Sequence, residues 1–202
     1  MIALNRLGTA IAISSLSLAM LGCGGAEKSA HSEGQNNSQE ESTLSGTSND
    51  VSQLTPINTL SISDYSLDKC IKSTGREFVE EVSTLICNNK GIQFLDGIEQ
   101  LTELNTLHLN FNHIEDITPL VELKKLKTLY LSGNQIYNLN PLSELSELME
   151  LGIQKNLVQD LSPLQSIYSL KSLHAHSNKI NDFSILNNLN LAELSGINKQ
   201  DS

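Results

Sequence analysis

Two histidines, three aspartates and three cysteines stand at spacings that could do chemistry. His174 and His176 lie two residues apart, so on an extended strand both project from one face and could share a metal ion. Zinc takes three or four protein ligands, and the nearest equivalent outward residues, Gly152 and Gln154, add no strong one. His108 is three repeats of the pattern described below away, about 14 Å by strand spacing. No metal and no cofactor is expected. Asp116, Asp160 and Asp182 recur at one register. Glycoside hydrolysis would need an acid pair facing across a cleft, which that register does not form. Regular recurrence instead suits capping of nearby backbone amides. Serines and histidines occur without a nucleophile-elbow context, and the glycines are scattered rather than gathered into a phosphate cradle. The residues point away from catalysis and toward binding.

Charge narrows the partner. The 202 residues carry 13 Lys and Arg against 23 Asp and Glu, a formal net charge of −10. Phosphate binding needs a basic stripe, so nucleic acid is excluded as a main partner. Aromatics are 4 % and Trp is absent, so the core is aliphatic.

The elements that would hold such a surface follow from a repeat. Cut every 22 residues from Leu101, the chain reads LTELNTLHLNFNHIEDITPLVE, LKKLKTLYLSGNQIYNLNPLSE, LSELMELGIQKNLVQDLSPLQS and IYSLKSLHAHSNKINDFSILNN, with VEEVSTLICNNKGIQFLDGIEQ (79–100) fitting ahead of them. Leu107 and Leu109 alternate with His108, which predicts a short strand with leucines inward. Asn112, Asn134, Asn156 and Asn178 share the register where the chain must turn. A carboxamide both donates and accepts, so these residues are expected to stack as a ladder satisfying backbone groups inside the turn. Lys90 holds that place in the first block. Pro119, Pro141 and Pro163 fix φ on the return side, predicting tight turns or short 3₁₀ segments; Ile185 replaces the proline in the last block.

The pattern L-x-x-L-x-L-x-x-N over roughly residues 79–197 resembles the leucine-rich repeat. Its second half, I-x-D-[IL]-x-P-L, is most similar to the bacterial, internalin-like 22-residue class. The fold class expected is α/β: a leucine-rich-repeat solenoid with short parallel strands on the concave face, 3₁₀ and turn segments on the convex face, and a helical N-terminal cap. No block can bury its own apolar face, but stacked blocks share one spine.

The outward strand positions then form columns about 4.8 Å apart. Thr106, His108, Asn110, Phe111, Thr128, Tyr130, Glu150, Gln154, His174 and His176 are the candidate partner-binding residues. Tyr130 and the histidines are amphipathic anchors of the kind that dominate interfaces. The expected function is recognition of a protein of unknown identity through the concave face. A structural envelope component, or a carbohydrate-binding accessory protein, is the alternative.

Both ends of the stack need caps. Leu67, Cys70 and Ile71 share a helical face within residues 57–78, with Asp64 placed as N-cap and Gly75 as terminator. Cys70 would then stand above inward Cys87, which invites a disulfide; two buried free thiols are the other possibility. At the far end of the repeat domain (79–202), Leu191, Leu194 and Ile197 are expected to begin a last strand after a shift of two residues.

Residues 1–22 carry Arg6 and a short apolar run broken by Gly8, Ser14, Ser15 and Ser17, which reads as a secretory signal rather than a transmembrane helix. Met20-Leu21-Gly22-Cys23 resembles a bacterial lipobox, with Met20 where leucine is usual. That resemblance implies cleavage before Cys23, lipidation of its sulfur and amine (palmitate among the acyl groups), and a lipid-anchored place in the cell envelope. Gly24 in place of Asp implies the outer membrane where there is one. Residues 23–56, rich in Ser, Asn, Gln, Glu and Gly, read as a flexible tether. A monomer is expected.

Overall fold

Each block contributes a strand of three residues in which one leucine is buried and its neighbours point outward. In the computed structural model, which describes residues 54–195, these strands are β1 (Thr84–Ile86), β2 (Thr106–His108), β3 (Thr128–Tyr130), β4 (Glu150–Gly152), β5 (Ser172–His174) and β6 (Glu193–Ser195). They form one parallel sheet in chain order. As far as β5 the register is a full repeat per step: Leu85 pairs with Leu107, Leu107 with Leu129, Leu129 with Leu151 and Leu151 with Leu173. Residues 1–22, Cys23, nearly all of the proposed tether and Ile197 lie outside the described residues.

Behind the sheet runs a continuous aliphatic spine. Leu104, Leu107, Leu109, Ile114 and Leu120 of one repeat are all fully buried, and their counterparts in the next repeats stack on them. The return side is built of 3₁₀ segments, Thr118–Glu122, Asn140–Glu144 and Ser162–Ser166, each with its proline in the first turn. Proline suits that position because its missing N–H would have no partner there. Ser184–Asn188 forms the same segment without proline. The aspartates noted above sit just ahead of these turns. Asp116 Oδ1 accepts from the Thr118 amide at 2.8 Å, Asp160 Oδ1 from Ser162 at 2.7 Å and Asp182 Oδ1 from Ser184 at 2.8 Å. The hydrogen bonds hold all three carboxyls below the usual carboxylate range.

The asparagines tie consecutive coils together. Asn134 Nδ2 donates to the carbonyl of Leu131 in its own coil at 2.8 Å and to that of Leu109 in the preceding coil at 3.0 Å, while its Oδ1 accepts from Ile114 N at 3.1 Å. Asn156 repeats this with Ile153, Leu131 and Ile136. Asn178, half-buried, does so with Ala175, Ile153 and Val158. The first turn, which has Lys90 at this register, is served from above: Asn112 Oδ1 accepts from Lys90 N at 2.9 Å and Ile92 N at 3.1 Å. Among the described residues no buried side-chain polar atom lacks a partner.

The cap is α1 (Tyr65–Lys72), with Leu67, Cys70 and Ile71 buried. Asp64 Oδ1 caps it by accepting from Ser66 N at 2.8 Å and Leu67 N at 3.1 Å; Oδ2 accepts from Gln93 N at 2.8 Å and Phe94 N at 3.2 Å. One carboxylate therefore joins the cap to the first repeat. Burial opposes its ionisation, but these four amides outweigh burial and lower its pKa. Cys70 and Cys87 are joined by a disulfide with Cα atoms 6.0 Å apart. Gly97 lets the chain pass close under the cap: its φ is +99°, and a Cβ there would stand 2.3 Å from the Ser61 carbonyl oxygen.

At the far end the sequence expectation needs correcting. Leu194 pairs with Leu173, so the last coil is one residue shorter than its predecessors, not offset by two. The cause is visible in the backbone. Leu101, Leu123, Leu145 and Ile167 end their 3₁₀ segments with ψ between 57° and 74° and accept from the amide three residues on. Leu189 instead turns extended, with ψ 138°. The additional turn is skipped, and Ala192 and Glu193 still donate to the Lys171 carbonyl as the equivalent pair does in each preceding coil.

Candidate interface on the sheet

Parallel pairing at full-repeat register forces outward residues into columns. Thr84, Thr106, Thr128, Glu150, Ser172 and Glu193 form one; Ile86, His108, Tyr130, Gly152 and His174 form the next. The residues after each strand, Asn88, Asn110, Ser132, Gln154 and His176, make a third.

Of the sequence candidates, the structure brings His108, Tyr130 and Glu150 into one cluster. The rings of His108 and Tyr130 meet edge to face, centroids 4.8 Å apart and planes at 78°. The Tyr130 hydroxyl donates to Glu150 Oε2 at 2.8 Å. Gly152 makes this arrangement possible: a Cβ there would stand 2.6 Å from Tyr130 Cδ1 and 3.2 Å from Cε1. Tyr130 thus leans across the next strand into space that any other residue at 152 would fill. Burial pushes the Tyr130 phenol up, with Glu150 and then Glu193 adding to it. His108 is pushed down by burial, against the opposing pull of Glu150.

Other candidates are spent partly on the fold. Asn110 Oδ1 accepts from Ser132 N at 2.8 Å, and Asn88 Oδ1 accepts from Asn110 N at 2.8 Å. These form a second, short ladder at the end of the strands. Gln154 Oε1 accepts from the Ser132 hydroxyl. Asn110 and Gln154 therefore present only part of their amides outward. Thr106 and Thr128 are half-buried in the first column. Phe111 is 56 % exposed and lies over Gly133, at the rim. It sits in left-handed backbone with φ +57°, as do Asn89, Lys155 and Ser177 at the same register.

His174 Nε2 lies 3.2 Å from Ser172 Oγ, and His176 Nδ1 lies 3.1 Å from Ser177 Oγ. The two histidines therefore engage different hydroxyls rather than a common point. No group of three or more His, Cys, Asp or Glu side chains among the described residues is placed to hold a metal ion.

One feature escaped the sequence: Glu193 joins the first column only because the last coil is short. Exposed Ile86, on β1, extends the second column toward the cap, at the outward position its repeat gives it. Beyond the ladder turn and off the sheet lies an open depression of about 490 Å³, lined by Gln93, Phe94, His113, Glu115 and Gln135.

Comparison with known proteins agrees with this architecture. The family described as leucine-rich repeats (two copies) matches residues 106–148. No curated protein matches the sequence. Among solved structures, an internalin (inlF) from Listeria monocytogenes is similar at 26 % identity over 69 % of this chain and 51 % of its own, with a TM-score of 0.52. This chain therefore spans about half the length of that internalin. Internalin C2 (inlC2) from the same organism is 30 % identical over 71 % of this chain and 88 % of its own, with a TM-score of 0.44. With six parallel strands, a ladder of asparagines and 3₁₀ returns at each coil, the chain is a leucine-rich-repeat protein whose solenoid is internalin-like.

Proposed function

We propose that this domain is a non-enzymatic protein-binding module that recognises its partner through the sheet face, and that it is held at a bacterial cell envelope by lipid on Cys23. The observation that supports the first part is the His108–Tyr130–Glu150 cluster. Inward strand-side positions are aliphatic apart from the disulfide-bonded Cys87, yet the outward ones carry an aromatic ring wedged against a glycine and tied to a carboxylate. A ring held in place loses little freedom on binding, and this is what makes a tyrosine an effective anchor. Likeness to an internalin supports a binding role in general and names no partner. The second part rests on the lipobox-like run ending in Cys23. One acyl chain gives only marginal membrane binding, so stable anchoring needs the several chains such a cysteine would carry.

The test is capture by crosslinking from native envelope extract. The intact chain is expected to retain a protein that the His108→Ala, Tyr130→Ala double variant does not, at an unchanged unfolding midpoint. Capture unaffected by the double variant would place binding elsewhere. An extract from which neither chain retains a protein would favour a structural role in the envelope.

A further inference from the structure

Off the sheet, beyond the asparagine turns, one position breaks the repeat in a way the fold does not need. Asp116, Asn138, Asp160 and Asp182 share a register. In each, a side-chain oxygen accepts from the amide two residues on, at between 2.7 and 3.0 Å. The first coil holds Phe94 at that register. A phenyl ring accepts no such bond, and this ring is 59 % exposed. The first coil thus forgoes a turn cap and leaves an apolar ring in water. Local rules are broken in this way where a residue serves binding rather than folding. Phe94 lines the open depression of about 490 Å³ together with Gln93, His113, Glu115 and Gln135. The backbone beneath is fixed. Gln93 N and Phe94 N donate to Asp64 Oδ2 at 2.8 and 3.2 Å, His113 N to the Ile92 carbonyl at 2.8 Å and Gln135 N to that of Ile114 at 2.9 Å. The side chains above it are unspent: among the described residues, no hydrogen bond or ion pair engages those of Gln93, His113, Glu115 or Gln135.

The chemistry of the lining selects a ligand class. No Lys or Arg lines the depression, so nothing there matches an anion. One carboxylate does not make a site for a metal ion. Four polar side chains around one ring do not suit an acyl chain, whose burial would strip them of water. What remains is two carboxamides and an imidazole, each able to donate and accept, a carboxylate that accepts, and an exposed aromatic face. We infer that this depression binds a neutral oligosaccharide. A sugar ring has an apolar face of C–H bonds and a rim of hydroxyls, each of which donates and accepts. The apolar face lies on the Phe94 ring, and the rim reaches the four polar side chains, which have no other partner to give up. Few, well-placed polar groups beside an apolar wall are what orient a small ligand. This site is separate from the sheet face and does not rest on the reading of that face.

The experiment is an NMR titration of the ¹⁵N-labelled full chain with chitotetraose, cellotetraose, maltotetraose and mannotetraose in turn. At least one is expected to shift the amides of Gln93, Phe94, His113, Glu115 and Gln135 saturably. Phe94→Asp restores the residue that the later coils carry, so the fold is kept. It is expected to weaken the response roughly tenfold, as for loss of one aromatic contact, with no drop in the unfolding midpoint. Phe94→Tyr, which keeps the ring, is expected to retain the response. The His108→Ala, Tyr130→Ala double variant, altered only on the sheet, is expected to bind the sugar as the native chain does. No response to any of the four sugars, a response confined to other amides, or one indifferent to Phe94→Asp overturns the inference. Loss of sugar binding in the double variant overturns it too, because the sugar would then lie on the sheet. Capture of an envelope protein by the native chain and not by the double variant supports the sheet-face reading whatever the sugars do, so the two can fail separately.

Discussion

Asn134 shows how one side chain governs two coils. Its amide group makes three buried hydrogen bonds to backbone atoms of consecutive repeats. Removing it leaves those backbone groups desolvated and unpaired, and an unsatisfied buried group costs about 1–3 kcal/mol. Asn134→Ala is therefore expected to lower unfolding stability by roughly that amount in a denaturant titration, with the sheet face intact. A substitution at the exposed side chain of Gln135 should leave the curve near its starting position. His108 supplies a second prediction at this scale. Burial holds its folded pKa below the ordinary 6.5. The unfolded chain therefore binds its proton first as pH falls. The contribution of neutral His108 is fully present above about pH 6.5 and is lost as pH falls through the lower, folded value. Denaturant midpoints measured at neutral and mildly acidic pH should fall more for the native chain than for His108→Gln. The lowered carboxyls of Asp64, Asp116, Asp160 and Asp182 act in a different window. Their stabilisation is present above the ordinary value of 3.8 and is lost only as pH falls through the still lower folded values.

At the scale of the element, the cap is where local and long-range forces meet. Helix α1 has eight residues, too short to persist alone in water. It is held by its buried face, by Asp64 reaching both its own N-terminus and the first repeat, and by the Cys70–Cys87 bond. The cysteines are 17 residues apart, and closing a loop of that order stabilises by about 3 kcal/mol in the chain-entropy model. Reduction, or the Cys70→Ser, Cys87→Ser double variant, should lower the unfolding free energy by about that figure and speed proteolysis near residues 64–79 before the central coils. Non-reduced peptide mapping that finds Cys70 as a free thiol would refute the pairing. Much of this element was legible: apolar residues at helical spacing mark its face, and Asp64 and Gly75 mark its ends. The second role of Asp64 was not, because Gln93 and Phe94 come within its reach only once the cap docks.

For the molecule as a whole, two proposals bear on how the domain is used. Each coil is buried by its neighbours, so stability is shared along the stack and the sheet face is a rigid surface. If that surface works at a membrane, its anchor is Cys23, which lies outside the described residues. Cys23→Ser is expected to release the protein from the membrane fraction into the soluble one, without altering the unfolding curve of the repeat domain. Mass spectrometry of the mature chain should find acylated Cys23 at its N-terminus. An unmodified cysteine, or a variant that stays with the membranes, would rule the lipid anchor out.

Leucines every few residues, with asparagine and proline in register, were enough by themselves to dictate coil length, the inward faces and the parallel order of the strands. Each of those features follows from one coil's own pattern repeated against its neighbour. What required the folded molecule were features made by two or more coils at once. Tyr130 could lean toward Glu150 only because Gly152, a full repeat later, left the space. Asn112 could serve a turn that lacks its own asparagine only because the coils stack in register. Glu193 entered the surface because Leu189 went extended and shortened the last coil by a residue. Periodicity is written along the chain, whereas contact between side chains a repeat apart depends on backbone dihedrals that no single block specifies.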